Sequence, residues 1–202
     1  MFMSDITRTA ATPALAAASV STGITAGTLV ETANGWRAVE SLRCGDAIHS
    51  FDGGLVRILG LDRNWLLPSD QTTLLHIPGG AFDNCTDLML AEHQHLLIDT
   101  LGDLALPDTL HALIPAAALA GFRGTKRVSL SQPIELLTPL FAQVEAIYAN
   151  SGTLLHCPAM IHGPARLPQG DDFTCLDLAQ SRALLRRIEN RDGPVPAALR
   201  MA

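Results

Sequence analysis

Short apolar runs separated by glycine, proline and asparagine follow one another between residues 27 and 105. Asn34-Gly35 lies between the runs Thr28–Thr32 and Trp36–Val39, and an Asn-Gly pair in such a place is the strongest short-range signal for a β-hairpin. The segment 87–99, DLMLAEHQHLLID, is long enough for two short strands or for one bent strand. Several short strands at near-regular spacing predict a mostly β fold.

Two segments have helical character instead. Residues 109–120, TLHALIPAAALA, are rich in alanine and leucine, and Pro115 is predicted to open a short helix at its first turn. Residues 174–190 form the stronger helix prediction, because Thr174 and Asp177 have the spacing of a capping box. The predicted apolar face of this helix joins residues at helical spacing: Leu176, Leu178, Ala179, Ala183, Leu184 and Ile188.

Composition excludes several classes of protein. Apolar residues make up 48% of the 202 residues, which is enough for a packed core. The net charge of −6 and the lack of any lysine- and arginine-rich stretch argue against nucleic acid as a principal partner. The most apolar runs, 109–120 and 153–160, are shorter than the roughly 20 residues that a membrane-spanning helix needs. We therefore expect neither a nucleic-acid partner nor a membrane span.

The cysteines do not form a recognisable framework. There are four, and no Cys-x-x-Cys pair occurs among them: Cys44, Cys85, Cys157 and Cys175. Scattered cysteines in a chain of this length favour free thiols over a disulfide scaffold. A reducing cytoplasm is the expected compartment, with export that does not use an N-terminal signal as the open alternative.

Three regions are predicted along the chain. Residues 1–22 are rich in small residues and contain no continuous apolar stretch, so they predict a flexible leader and not a secretory signal. Residues 23–160 hold the strand pattern and form one domain. Residues 161–202 begin with a loop rich in proline, glycine and aspartate and continue into the predicted helix, which we expect to pack on the β domain as an appendage.

Four segments together carry a resemblance to a known family. GITAGTLVETANGWRAVESLRCGDAIHSFDGG (23–54) resembles the opening of Hint domains, the module that hedgehog autoprocessing domains and inteins share, and is most similar to bacterial Hint proteins. LMLAEHQHLLI (88–98), ALIPAAAL (112–119) and IYANSGTLLHC (147–157) resemble the later motifs in the same order. The resemblance implies a horseshoe of short strands with a short internal helix, the hedgehog/intein fold, to which the predicted C-terminal helix is added.

The chemistry that the resemblance implies is autoprocessing or protein splicing. In that family a first-position Cys or Ser attacks the carbonyl before it, while a His on a middle strand assists at the scissile nitrogen. A terminal Asn then cyclises with help from the preceding His. Some members also carry a His in the segment leading into the last strand, but the matching stretch here, FAQVEAIY (141–148), contains none.

This chain departs from the pattern at both ends of the reaction. Gly23 stands where the first nucleophile is expected, and Cys157 stands where the cyclising Asn is expected. His156 matches the penultimate His. The middle position falls on His93 or on Gln94, depending on which flanking residues are aligned. The candidate site residues are therefore His93, His156 and Cys157.

Three functional hypotheses follow. The first is a degenerate Hint domain that folds but does not cleave itself, and which serves as an accessory module for an unidentified protein partner. The second is a non-standard self-cleaving domain that uses Cys157, Thr22 or Thr25. The third discards the resemblance and leaves a small all-β binding module. Cys157 itself has two interpretations: a thiol activated by the neighbouring His156, or a small buried residue in the space of the missing Asn.

A metal site is a further hypothesis. His93 and His95 are two residues apart, so on a regular strand they face the same side, where His156 or Cys157 would complete a transition-metal site. No carboxylate or thiolate stands at an obvious ligand spacing from the pair. The expectation is therefore that the protein uses neither a metal nor a cofactor.

Overall fold

A computed structural model describes residues 22–69, 72–100, 106, 109–160 and 173–192. Nearly all of the predicted leader and the loop that starts the C-terminal region lie outside the described residues. Within them the chain forms two β-sheets and one α-helix. The mostly β architecture predicted from the sequence is confirmed.

The smaller sheet has six strands among the described residues, and their order is β11-β7-β8-β1-β12-β6. Their bounds are as follows: β1 Ile24–Thr25, β6 Gly60–Leu66, β7 Thr73–Ile77, β8 Leu88–Ala91, β11 Lys126–Ser129 and β12 Ile134–Leu140. The short strand β1 lies between β8 and β12, and Ile24 is paired with Leu90 on one side and Leu137 on the other. The chain therefore enters the domain through the middle of this sheet.

The larger sheet has nine strands among the described residues, with the order β15-β10-β9-β14-β13-β2-β4-β5 and with β3 paired to β2. Their bounds are as follows: β2 Leu29–Thr32, β3 Gly35–Ala38, β4 Ala47–Ser50, β5 Gly54–Arg57, β9 His95–Asp99, β10 His111–Pro115, β13 Glu145–Ala149, β14 Thr153–Cys157 and β15 Thr174–Cys175. Because β14 lies between β9 and β13, the last motif of the sequence is in the interior of the sheet.

The predicted hairpin is present as β2 and β3. Thr32 is paired with Gly35, which leaves Ala33 and Asn34 as the connection. Gly35 has a φ of +91°, a conformation that glycine adopts without the steric cost of a side chain. The local signal of an Asn-Gly pair thus identified the hairpin.

The segment 87–99 forms two strands that belong to different sheets. Strand β8 ends at Ala91 in the smaller sheet, and β9 begins at His95 in the larger one. The chain turns between them, and the amide of Gln94 donates to the carbonyl of Ala91 at 3.0 Å. This crossing brings the first and last motifs of the sequence together, because it runs beside both β1 and β14.

Residues 109–120 are helical only in their second half, where the short helix predicted to open at Pro115 is present. Residues 111–115 form β10, which pairs with β9 from His111 opposite Asp99 to Pro115 opposite His95. Only Ala116–Leu119 is helical, as a single 3-10 turn. The apolar residues of the segment are buried on a sheet, and this tertiary contact overrides the helix preference of alanine and leucine.

The C-terminal helix is confirmed, but its predicted cap is not. Helix α1 spans Leu178–Asp192, and Thr174 belongs to strand β15. The capping box is formed by Asp177 and Gln180: the Gln180 amide donates to Asp177 Oδ1 at 2.8 Å, and the Asp177 amide donates to Gln180 Oε1 at 2.9 Å. These two reciprocal hydrogen bonds form a capping box that begins three residues later than the one predicted at Thr174.

Helix α1 packs on the β domain and contributes side chains to the main core. Leu184, Leu185 and Ile188 are buried in the same cluster as Ile114 and Leu119 of the β domain. Leu178, which the sequence placed on the apolar face, is 40% exposed. Of the helices in the described ranges, none is long and apolar enough to cross a membrane.

Candidate functional site

Gly23 lies at the entrance to β1 in a conformation that disfavours a side chain. It is buried and has a φ of +120°. A Cβ atom at this position would lie 3.1 Å from Thr138 Oγ1, 3.2 Å from Leu136 Cβ and 3.3 Å from the Leu137 carbonyl oxygen. These contacts are tighter than ordinary van der Waals separation, so side-chain and backbone atoms of β12 close over the place where the nucleophile was expected.

One buried carboxamide joins the two ends of the expected reaction. The Gly23 amide donates to Gln94 Oε1 at 3.0 Å, and Gln94 Nε2 donates to the carbonyl of His156 at 2.8 Å. The same Nε2 also donates to the carbonyl of His95 at 3.1 Å. Gln94 is only 4% exposed. Gly23 in the first motif and His156 in the last motif therefore both contact the side chain of Gln94.

The structure brings Gln94, and not His93, to the entrance of β1. His93 is exposed on the turn between β8 and β9. The alternation along β9 then places His95 on the sheet, where it is half-buried. The turn after Ala91 therefore determines that Gln94, and not His93, contacts Gly23.

His156 and His95 lie side by side on the larger sheet. Their ring centroids are 6.2 Å apart in an edge-to-face arrangement. Both line a cavity of about 260 Å³ together with Leu113, Phe173 and Cys175. Burial lowers the pKa of His95, although a hydrogen bond to the backbone of His93 partly opposes that shift. The surroundings of His95 therefore favour the neutral imidazole.

Cys157 is a buried core residue at the end of β14. It is 1% exposed and is paired across the strands with Glu145 at the start of β13. Burial and the charge of Glu145 both raise the pKa of the Cys157 thiol. Of the two interpretations of this residue, the geometry favours the small buried one.

Glu145 is a buried carboxyl that the sequence did not single out. It lies in the segment 141–148, where some members of the resembling family carry a His, and the hydroxyl of Ser50 donates to it. Burial raises the pKa of Glu145 and the charge of Asp52 adds to the rise, while the hydrogen bond from Ser50 opposes it. The sequence offered only one signal, an acidic residue at the start of an otherwise apolar strand.

The threonine hydroxyls near Gly23 differ in their surroundings. Thr25 is buried, and its Oγ1 donates to the carbonyl of Met89 at 2.8 Å and lies 3.3 Å from Thr28 Oγ1. Thr22 is exposed. The Thr25 hydroxyl is therefore held within the strand by the backbone of β8.

The His93–His95 pair does not form the centre of a ligand cluster. His93 lies on the turn and His95 on the strand, so the regular-strand geometry assumed for the pair is wrong. Across the residues that the structure describes, no group of three or more His, Cys, Asp or Glu side chains is arranged to hold a metal ion.

A larger cleft lies away from these residues. Its volume is about 420 Å³, and its walls include Phe51, Phe82, His111, Leu185 and Ile188. None of Gly23, Gln94, His156 or Cys157 lines it. Size alone thus does not identify the site that the chemistry of the sequence indicates.

Comparison with known proteins agrees with the resemblance seen in the sequence. The family model described as the Hint domain matches residues 22–154. A bacterial intein-like domain from Clostridium thermocellum, solved in solution, is 15% identical with a TM-score of 0.50, and the match covers 67% of this chain and 99% of that one. A splice-inactive variant of the AceL NrdHF class 3 split intein is 11% identical with a TM-score of 0.49, over 70% and 100% of the two chains. No curated protein matches.

Proposed function

Because the chain belongs to the Hint domain family, we propose that it is a Hint domain that keeps the family fold but no longer cleaves its own backbone. The observation that carries the proposal is that residue 23 is a glycine. A glycine has no atom that can attack the preceding carbonyl, so the amide-to-ester or amide-to-thioester step has no nucleophile. The close approach of Thr138, Leu136 and Leu137 supports the same conclusion, because it leaves little room for a side chain there.

The alternative nucleophiles are poorly suited to the reaction. Cys157 is buried, and its raised pKa keeps the thiol protonated, whereas the thiolate is the attacking form. The hydroxyl of Thr25 is engaged by the carbonyl of Met89. Thr22 is exposed, but it precedes the Thr22–Gly23 bond, and an acyl shift onto a hydroxyl uses the carbonyl before that residue and not the one after it. These surroundings argue against the self-cleaving hypothesis.

The C-terminal end of the expected reaction is also blocked. Cys157 has no carboxamide nitrogen, so it cannot cyclise onto its own carbonyl. The chain then continues along the sheet, where the Phe141 amide donates to the carbonyl of Pro158 and the Met160 amide donates to the carbonyl of Phe141. Residues 158–160 are thus held by backbone hydrogen bonds, which favours a continuous chain at this point.

A domain of this kind serves as a folded accessory or recognition module for a protein partner. The acidic net charge of −6 is consistent with a partner other than nucleic acid. The boundaries 23–160, the compartment and the absence of a cofactor remain predictions from the sequence.

Intact-mass measurement of the full chain tests the proposal. The purified protein is incubated at pH 6, 7.5 and 9, with and without dithiothreitol, and we expect a single species at the full-length mass. A pair of fragments whose masses add up to the full chain plus one water, or plus one dithiothreitol where it is present, would contradict it. Cys157→Ala and Thr25→Val variants, run in parallel, would then identify which side chain attacks.

A further inference from the structure

We propose that Gln94 is a positioning residue that locks the Thr22–Gly23 peptide bond against cleavage, in addition to the lack of a nucleophile at Gly23. The inference rests on the proposed function, because it concerns the same bond. It starts from the three hydrogen bonds of one carboxamide, which reach Gly23, His95 and His156.

The orientation of the carboxamide is determined by its partners. Its oxygen accepts from the Gly23 amide, and its nitrogen donates to the carbonyls of His95 and His156. A flipped side chain would place the NH₂ group against an N–H donor and the oxygen against two carbonyl oxygens. Because Gln94 is buried, such unmatched groups would be costly, so a single orientation persists.

This orientation has a chemical consequence for the peptide bond. When a C–N bond of an amide breaks, the departing nitrogen must take up a proton. Gln94 presents a lone pair of Oε1 to that nitrogen, and both of its own N–H protons are directed at carbonyls elsewhere. A neutral carboxamide in this position stabilises the intact amide and supplies no proton.

The same side chain couples the two ends of the domain. The carbonyl of His156 belongs to the peptide bond with Cys157, while the amide of Gly23 belongs to the bond with Thr22. Gln94 thus holds the entrance to β1 and the end of β14 in one fixed arrangement. A residue 71 positions away from Gly23 in the sequence performs this task.

The lock is tested by introducing a Cys at residue 23 and a His at residue 94, the two residue types that the family reaction uses. Three full-length variants are compared: Gly23→Cys, Gly23→Cys/Gln94→His and Gly23→Cys/Gln94→Met. In the cleaving reaction the Cys sulfur attacks the Thr22 carbonyl, the C–N bond breaks, the nitrogen of residue 23 takes up the proton and a thioester forms. Dithiothreitol then displaces the thioester and releases residues 1–22. We expect release from the Gln94→His variant at least about tenfold faster than from Gly23→Cys alone, with a pH profile that follows the histidine. The Gln94→Met variant, which loses the lock but supplies no proton, should be intermediate.

The outcomes separate the lock from the proposed function. Release from Gly23→Cys alone that is as fast as release from both Gln94 variants, or no release from any variant, would each overturn the lock. Cleavage of the unaltered chain would instead overturn the proposed function. All three variants carry the same strain at residue 23, so that strain does not affect their comparison.

Amide hydrogen exchange measured by NMR provides a test that needs no change at Gly23. In the unaltered protein we expect the Gly23 amide to be protected. In Gln94→Met its exchange should be at least about tenfold faster, while the amide of Leu155 in β14 keeps its protection. A Gly23 amide that exchanges freely in the unaltered protein would overturn the proposal.

Discussion

Glu145 and Cys157 are directly paired residues of β13 and β14, and both side chains are buried, with exposed fractions of 7% and 1%. Burial raises the pKa of both groups, and the charge of Glu145 further raises the pKa of the Cys157 thiol, because like charges repel more strongly where water is excluded. The last motif of the chain therefore ends in a pair that favours its neutral form.

Thiol reactivity is the first prediction. Cys44, Cys85 and Cys175 are exposed, whereas Cys157 is buried with a raised pKa. An excess of a thiol reagent at pH 8 should modify three thiols rapidly in the native protein and the fourth only after unfolding. Peptide mapping identifies the protected residue, and a Cys157→Ala variant should lose the slow thiol. Four thiols that react at similar rates would show that the end of β14 opens readily.

The pH dependence of stability is the second prediction. The pKa of Glu145 is raised above its ordinary value of 4.5, so the folded state binds more protons than the unfolded state above that pH. The ionisation of Glu145 therefore makes the folded protein less stable as the pH rises from 4.5 through the raised pKa. We expect a Glu145→Gln variant, which can still accept from Ser50, to gain several degrees in Tm over the unaltered protein at pH 7.5 and little at pH 4.5.

The control for this measurement is Asp62→Asn on the exposed strand β6, which removes one negative charge without changing a buried group. The difference in Tm between Asp62→Asn and the unaltered protein should show no comparable rise between pH 4.5 and pH 7.5. A Glu145→Gln variant that behaves like this control would mean that Glu145 ionises in the folded protein as it does in the unfolded chain.

A glycine pair provides the third prediction. Gly23 and Gly27 both have positive φ, at +120° and +91°, but only Gly23 has atoms close to the place of a Cβ. Gly27→Ala should destabilise the fold by about 1 kcal/mol through backbone strain alone. Gly23→Ala should cost at least about 1 kcal/mol more, because crowding adds to the strain. Urea unfolding measures both, and equal losses would show that β12 moves away from the new methyl group.

The fourth prediction concerns the place of helix α1 in the core. Leu184 is fully buried and Leu178 is 40% exposed, although the sequence assigned both to one apolar face. Leu184→Ala should reduce the free energy of unfolding by about 3 kcal/mol, and Leu178→Ala by less than about 1 kcal/mol. A single unfolding transition for both variants is expected if the helix and the sheets unfold together. A separate early transition in Leu184→Ala would mean that the helix is an appendage after all.

Local patterns in the sequence identified what depends on neighbouring residues. The Asn34-Gly35 signal located the β2–β3 hairpin, the helical spacing located α1, and the order of four short motifs identified the family. The predictions that were wrong also came from local patterns, which do not include contacts with distant strands. Residues 111–115 pair with β9 in spite of the helix preference of their segment, so that only Ala116–Leu119 is helical. The helix cap is at Asp177 and not at Thr174, because β15 occupies the earlier residues.

The sequence by itself determined that residue 23 is a glycine and residue 157 a cysteine, at the positions where the resemblance to the family implies a nucleophile and a cyclising Asn. Only the tertiary structure decided that Gln94 rather than His93 meets Gly23, and that Glu145 is buried beside Cys157. The physical reason is that these contacts join strands far apart in the chain. One residue more or less in the turn after Ala91 would place a different side chain at the same point, and periodicity within a segment carries no information about that choice.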